Sequence, residues 1–371
     1  MTPLEELLAE RIRRFGPITF AEYMRECLYH PVLGYYSQPE TRKFADYYTS
    51  VDVHPIFGRL LARQFAEMWE SLNRPGEFLL VEAAAATGRL AREILDFSAS
   101  ALPEFYGALR YVAVERSPAR CDQMASRLAP HMDGGKCQAG IGIPRHVPVG
   151  CIFSNELLDA LPVHRVIPRN DSLLEIFVTH DGKNFGESAM PLSTCAIREY
   201  FDAQGVALLE GQQAEAGLEA CDWIGEIGRR LGRGYVLTID YGHEARDLFD
   251  AHHMAGTVLA YGQHRASEEF YRAPGQQDLT AHVNFTALRM WGERSGLQSV
   301  GLVSQTAFLM ALGQRNEFAD LYGEGATEAD RVKARLQLKT LIFPEGMGER
   351  FQVLMQSKGV EGGELSGLRG F

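Results

Sequence analysis

The 371-residue chain contains no run of about 18 apolar residues, the length that a membrane-crossing helix requires. Its first residues, MTPLEELLAERIRRFGPITF, lack the apolar core of a signal peptide, and Glu5, Glu6 and Glu10 speak against an acid-poor transit peptide. Positive charge is in the minority, with 37 Lys and Arg against 48 Asp and Glu and a formal net charge of −11. Nucleic acid and anionic membrane both favour basic surfaces. These absences predict a cytoplasmic protein with no nucleic-acid or membrane partner. The six cysteines form no C-x-x-C pair and the eleven histidines no H-E-x-x-H, so neither a disulfide framework nor a metal site is expected. Buried apolar cysteines are the simpler reading. There is no internal repeat and no low-complexity linker.

What is present is an ordinary globular composition, 46% hydrophobic and 23% charged, long enough for one large domain with additions. Helical spacing runs through 4–14, 21–29 and 55–72. Strand 77–82 then leads to helix 87–98, strand 110–115 to helix 118–129, and strand 150–154 to a turn. Short apolar strands alternating with amphipathic helices predict a parallel sheet covered on both faces. Residues 163–190 break the pattern with an antiparallel excursion, turned at Asn170-Asp171 and Asp181-Gly182. A helical region over 195–231 follows, then strands at 234–242 and 256–261, a helix at 285–296, and a strand at 298–304. Helices over 306–341 and a strand near 350–357 close the chain. The expectation is one α/β domain with an N-terminal helical extension and an insertion near 163–232.

In open parallel sheets ligands sit beyond the carboxyl ends of the strands. Glu82, Glu115, Asn155-Glu156 and Asp240 stand at such ends. The stretch VEAAAATGRLAREIL (81–95) leads from a strand into a helix as a nucleotide-binding loop does, but alanines occupy positions where glycines are expected, at Ala84 and Ala86. Glu115, 33 residues after Glu82, is placed to accept both hydroxyls of a ribose; the alternative is a surface acid capping helix 118–129. In SNELLDALPVHRV (154–166), Asn155 and Glu156 are placed to hold a nitrogen nucleophile by hydrogen bonds. Equally, Asn155 is a helix N-cap with Glu156 in the first turn.

Seven stretches lie in a set order: GPITFAEYMRECLYHPVLGYY (16–36), YYTSVDVHPIFGRLLA (47–62), YVAVERSPA (111–119), SNELLDALPVHRV, TIDYG (238–242), APGQQDLTAHVNFTAL (273–288) and FPEGMGERFQVLMQSKG (343–359). Together they resemble the MidA-like class I S-adenosylmethionine-dependent methyltransferases, the family of the mitochondrial complex I assembly arginine methyltransferase. The resemblance spans nearly the whole chain. It implies a seven-stranded, Rossmann-like α/β methyltransferase sheet, with an N-terminal extension (1–72) closing over the cofactor. The core would be 73–162 and 233–371, and 163–232 an inserted α+β subdomain on the substrate side. It implies S-adenosyl-L-methionine as cofactor, held by Glu82, Ala84, Ala86, Gly88, Glu115, Thr49 and Pro17. Asn155, Glu156 and Asp240 would serve the chemistry on a protein substrate. Oligomeric state is open, a homodimer included.

The chain departs from the family where Glu-x-Gly-x-Gly-x-Gly becomes Glu82-Ala83-Ala84-Ala85-Ala86-Thr87-Gly88. It also has Ala45-Asp46 for Gly-Asp, and Val51-Asp52 for Pro-Glu. An alanine forced into a left-handed conformation costs roughly 1–2 kcal/mol, which weakens a cofactor without abolishing its binding. A methyl aimed at the ligand would exclude it. Two readings follow: a methyltransferase, or a degenerate methyltransferase fold that binds a protein partner without turnover. An NAD-dependent dehydrogenase is a poor third, because no G-x-G-x-x-G is present.

Overall fold

Runs of apolar residues with no polar face produce strands that bury both sides. Phe78–Ala83 (β1) and Leu109–Val114 (β2) each bury five of their six residues. With Cys137–Gly140 (β3), Val147–Asn155 (β4), Leu231–His243 (β5), Gln298–Ser304 (β6) and Phe351–Lys358 (β7), they form a sheet of order β6-β7-β5-β4-β1-β2-β3. The five strands from β3 to β5 run parallel, and β7 is antiparallel to both β5 and β6. The order reverses between β1 and β4, which makes their carboxyl ends the switch-point crevice of an open α/β sheet. The computed structural model describes residues 2–37, 50–262, 265–322, 325–343, 348, 350–361 and 364–369.

Three helices frame that crevice. Ile56–Ser71 (α1) buries Ile56, Phe57, Leu60, Leu61, Phe65 and Met68 at helical spacing. Arg89–Ala101 (α2) does the same with Leu90, Ala91, Ile94 and Leu95. Pro118–Asp133 (α3) opens with proline at its first position, where the missing amide costs nothing. All three contribute to one hydrophobic core with the sheet strands.

The chain divides into two compact units: 1–47, 158–224 and 242–291 in one, and 48–157, 225–241 and 292–371 in the other. The second holds the sheet above. The first holds helices Pro3–Phe15 and Phe20–Tyr29, each opened by a capping box (Thr2 with Glu5, Thr19 with Glu22). It also holds a five-stranded antiparallel sheet and a three-stranded one. Asn170 and Asp171 take left-handed conformations, φ 50° and 60°, in the tight turn expected there.

This division differs from the boundaries expected at 72, 162 and 232. Helix α1 belongs to the sheet's core and not to an N-terminal extension. Residues 242–291 group with the first unit, and the strand near 256–261 is not one of the seven: Leu259–Gly262 pairs antiparallel with Arg265–Ser267 and Asp278–Thr280, while Val283–Asn284 pairs in parallel with the end of β5. Apolar patterning identified a strand near 256–261 but carries no information about its partner. Strand β3, CQAG, has too few apolar residues to be legible, and the sequence does not predict it.

Candidate functional site at the carboxyl edge of the sheet

Register fixes which residues meet at the crevice. Ala83 of β1 sits beside Val114 of β2 and Ser154 of β4, and Asn155 sits beside Ile239 of β5. The expected residues of this unit therefore share one edge.

Glu82 is buried, and its Oε2 accepts the Tyr111 hydroxyl at 2.7 Å. Burial pushes its carboxyl up to about 7, against the lowering effect of the Tyr111 bond. The following loop is bent by three left-handed residues, Ala84 (φ 58°), Ala86 (φ 48°) and Gly88 (φ 73°). The Ala85 amide donates to Val114 O and the Gly88 amide to Ala85 O, both at 2.8 Å, and Arg127 Nη1 donates to Thr87 O at 2.9 Å. The loop thus keeps a glycine-type backbone with alanine at two of its glycine positions. Ala84 is exposed and Ala86 half-buried, so neither methyl is locked into the protein's own core. Gly88 is different: a Cβ there would lie 2.8 Å from Met124 Cγ.

Glu115 is also buried, which removes the reading of it as a surface acid. Its Oε1 accepts the amides of Arg116 and Ser117, each at 2.8 Å, and Oε2 lies 3.7 Å from Arg120 Nη1. Ser117 makes no side-chain cap of its own. One carboxylate oxygen thus accepts two backbone amides and the other faces Arg120 at the longer distance of an ion pair.

At the end of β4, Asn155 is a strand residue and Glu156 turns with φ 53°. A non-glycine residue held there stores strain of the kind found at functional sites. Asn155 caps no helix. Its Nδ2 donates to Glu156 Oε1 at 3.1 Å, and its buried Oδ1 has no hydrogen-bond partner among the described residues. Glu156 Oε1 also accepts the Ser50 amide at 3.0 Å. Asp240, fully buried near the end of β5, accepts the amides of Leu157 (3.1 Å) and Tyr241 (2.9 Å). Burial raises the Glu156 carboxyl to about 7; the Ser50 and Asn155 bonds lower it, and the charges of Asp240 and Asp52 raise it further. Among the described residues no cation pairs with Glu156.

The structure therefore brings Asn155, Glu156 and Asp240 together, and places Glu82, the 84–88 loop and Glu115 along the same edge. Pro17 lies in the first unit, exposed one residue before strand Ile18–Thr19. Thr49 and Ala45-Asp46 lie outside the described residues. Sequence reasoning missed Tyr111, Ser50 and the Asp52–Arg89 pair (2.8 Å). The only available signal was Arg89's place directly after Gly88.

A mixed sheet with this strand order, parallel except for β7, and an acid-flanked loop at its switch point define a class I methyltransferase fold. Residues 60–303 match the model of a family described as "Putative S-adenosyl-L-methionine-dependent methyltransferase". The chain belongs to that family, with S-adenosyl-L-methionine as its cofactor. It is 28% identical to rat protein arginine methyltransferase NDUFAF7, mitochondrial, over 95% of this chain and 83% of that protein. The human protein of the same name is 26% identical, over 98% and 86%. A crystal structure from Burkholderia thailandensis, bound to S-adenosyl-homocysteine, superposes with a TM-score of 0.88 at 28% identity, covering 99% of this chain and 95% of that one. The cytoplasmic location expected from composition is overturned by these relatives, whose names place them in mitochondria.

Proposed function

We propose that this methyltransferase modifies an arginine guanidinium nitrogen of a protein, at the crevice formed by β1, β4 and β5. The names of the rat and human relatives support the substrate class. The observation that carries the reading is Glu156: a half-buried carboxylate, raised to about 7, hydrogen-bonded by neutral donors and paired with no described cation. A guanidinium entering beside it would supply the missing positive charge in a planar geometry suited to carboxylates. The unpartnered Asn155 Oδ1 offers a further acceptor for an N–H.

The residues fit the cofactor. Buried Glu115 at the end of β2 would take the ribose, and the loop from Ala84 to Gly88 holds the bend that a close-approaching ligand needs. S-adenosylmethionine supplies an electrophilic methyl on a sulfonium. The protein's share is orientation: fixing a nucleophile in line for displacement is worth several kcal/mol of barrier.

The test is methylation of arginine-bearing protein by the parent and by Glu156→Gln, read by mass spectrometry of the modified residue. The variant should lose most activity while keeping cofactor affinity. Methyl groups found on lysine, or full activity in the variant, would overturn the assignment. A parent that binds S-adenosylhomocysteine but methylates nothing would favour a binding or assembly role without turnover.

A further inference from the structure

The short helix Ser50–Val53 reaches two parts of the carboxyl edge. At its start the Ser50 amide rests on Glu156 Oε1, 3.0 Å away. Two residues on, Asp52 Oδ1 lies 2.8 Å from Nη1 of Arg89. Arg89 is the first residue of α2, directly after Gly88. One turn along the same helix, Glu93 Oε1 is 3.4 Å from Arg89 Nε, and its buried Oε2 has no partner among the described residues. One guanidinium at the head of the cofactor-loop helix therefore serves two acids, and one of these belongs to the segment that contacts Glu156.

We propose that Arg89 is a positioning residue for methyl transfer: by holding Asp52 it keeps the Ser50 amide on Glu156 and screens Glu156 from the Asp52 charge. The inference rests on the role given above to Glu156. A half-exposed ion pair ordinarily contributes little. Here its two ends lie in the cofactor-loop helix and in the segment that donates to the reacting edge. Gln337 Nε2 also donates to Val53 O at 2.7 Å. The segment therefore stays attached without Arg89, and the loss is one of position and charge.

Among the described residues, the groups facing Glu156 are Asp240 from β5, Asp52 from the short helix, and the neutral Asn155 side chain and Ser50 amide. Glu93 stands behind Arg89. Removing the guanidinium takes a positive charge from beside Asp52 and one of the contacts that hold this turn, whose Ser50 Oγ also donates to Gln305 Oε1 at 3.4 Å. Both changes favour the protonated form of Glu156, so both move it in the same direction.

The experiment is the pH profile of kcat for the parent, Glu156→Gln, Arg89→Gln and Arg89→Lys, with Arg89→Met as the alternative should the glutamine variant not fold. In the parent, kcat should rise through about 7 as Glu156 ionises. Arg89→Gln should move that midpoint upward by about half a unit, the scale of a partly exposed charge pair. Arg89→Lys should move it back. A loss of activity with an unmoved midpoint in Arg89→Gln, while Glu156→Gln abolishes the midpoint, overturns this inference and leaves the role of Glu156 standing. A parent-like midpoint in Glu156→Gln overturns that role, and this inference with it.

Discussion

Tyr111 places its hydroxyl 2.7 Å from Glu82, a bond between two buried side chains on the neighbouring strands β2 and β1. Tyr111→Phe removes the donor and leaves a buried carboxylate oxygen without it. The expected cost is about 1.5–3 kcal/mol when the acid is ionised. It should be larger at pH 8 than at pH 5, because Glu82 titrates near 7. Urea unfolding at the two pH values measures the difference, and an equal loss at both would contradict it.

Glu82, Glu93 and Glu156 are all raised from the ordinary 4.5 to about 7, each chiefly by burial. Below about 4.5 folded and unfolded chains both hold these protons. Between 4.5 and 7 the unfolded chain releases them first, so stability falls as pH rises and levels off above 7. The expected loss is of order 1 kcal/mol or more per group. Thermal unfolding across pH 4.5–8 tests it. Triple replacement by glutamine should flatten the slope.

Glu115→Ala removes an acceptor from the Arg116 and Ser117 amides as well as the carboxylate proposed for the ribose. S-adenosylhomocysteine affinity should fall by about 1.5–3 kcal/mol, the worth of a charged hydrogen bond. Glu115→Gln, which can still accept both amides, separates the two roles: if it restores affinity fully, the loss came from the turn and not from the ligand. Calorimetric titration reads this directly.

Ala84 and Ala86 occupy left-handed conformations that cost an L-residue roughly 1–2 kcal/mol each. Replacing both with glycine removes that strain and returns about 0.5–1 kcal/mol per site through the unfolded chain's added freedom. The double variant should bind S-adenosylhomocysteine more tightly and unfold at equal or higher temperature. Weaker binding would mean that the methyl groups help to shape the site.

Gly88→Ala should act in the opposite direction. The residue is left-handed at φ 73°, and the added carbon would press on Met124 Cγ at 2.8 Å and Leu128 Cδ1 at 3.2 Å. Strain and overpacking together should cost about 2–4 kcal/mol, read as a fall in the denaturation midpoint. This is why the third glycine of the loop is the one that cannot become alanine without moving α3.

Most strands of the sheet were legible because FLLVEA, LRYVAV and the run through β5 are apolar on both faces, and turn residues bound them. Their carboxyl ends were legible for the same reason, and so Glu82, Glu115, Asn155, Glu156 and Asp240 could be named without coordinates. Pairing was not. Residues 256–261 read as another strand of the alternation, yet Leu259–Gly262 pairs within the first unit. The Asp52–Arg89 and Ser50–Glu156 contacts join positions 37 and 106 residues apart, a separation across which no local periodicity speaks. The left-handed bend at Glu156 was equally hidden, since glutamate gives no warning of φ 53°.

Strand β7, the last of the sheet, is not at its edge. It fits between β5 and β6, with eight residue pairs to β5 from Gly234 opposite Lys358 to Tyr241 opposite Phe351. A chain made from its N-terminus forward therefore exposes one unpaired side of β5, which carries Asp240, until residue 358 has emerged from the ribosome. An unpaired strand side is a template for strays. Translation of the final residues is then the step that seals the sheet, and premature termination before residue 351 would leave β5 open on one side and separate it from β6.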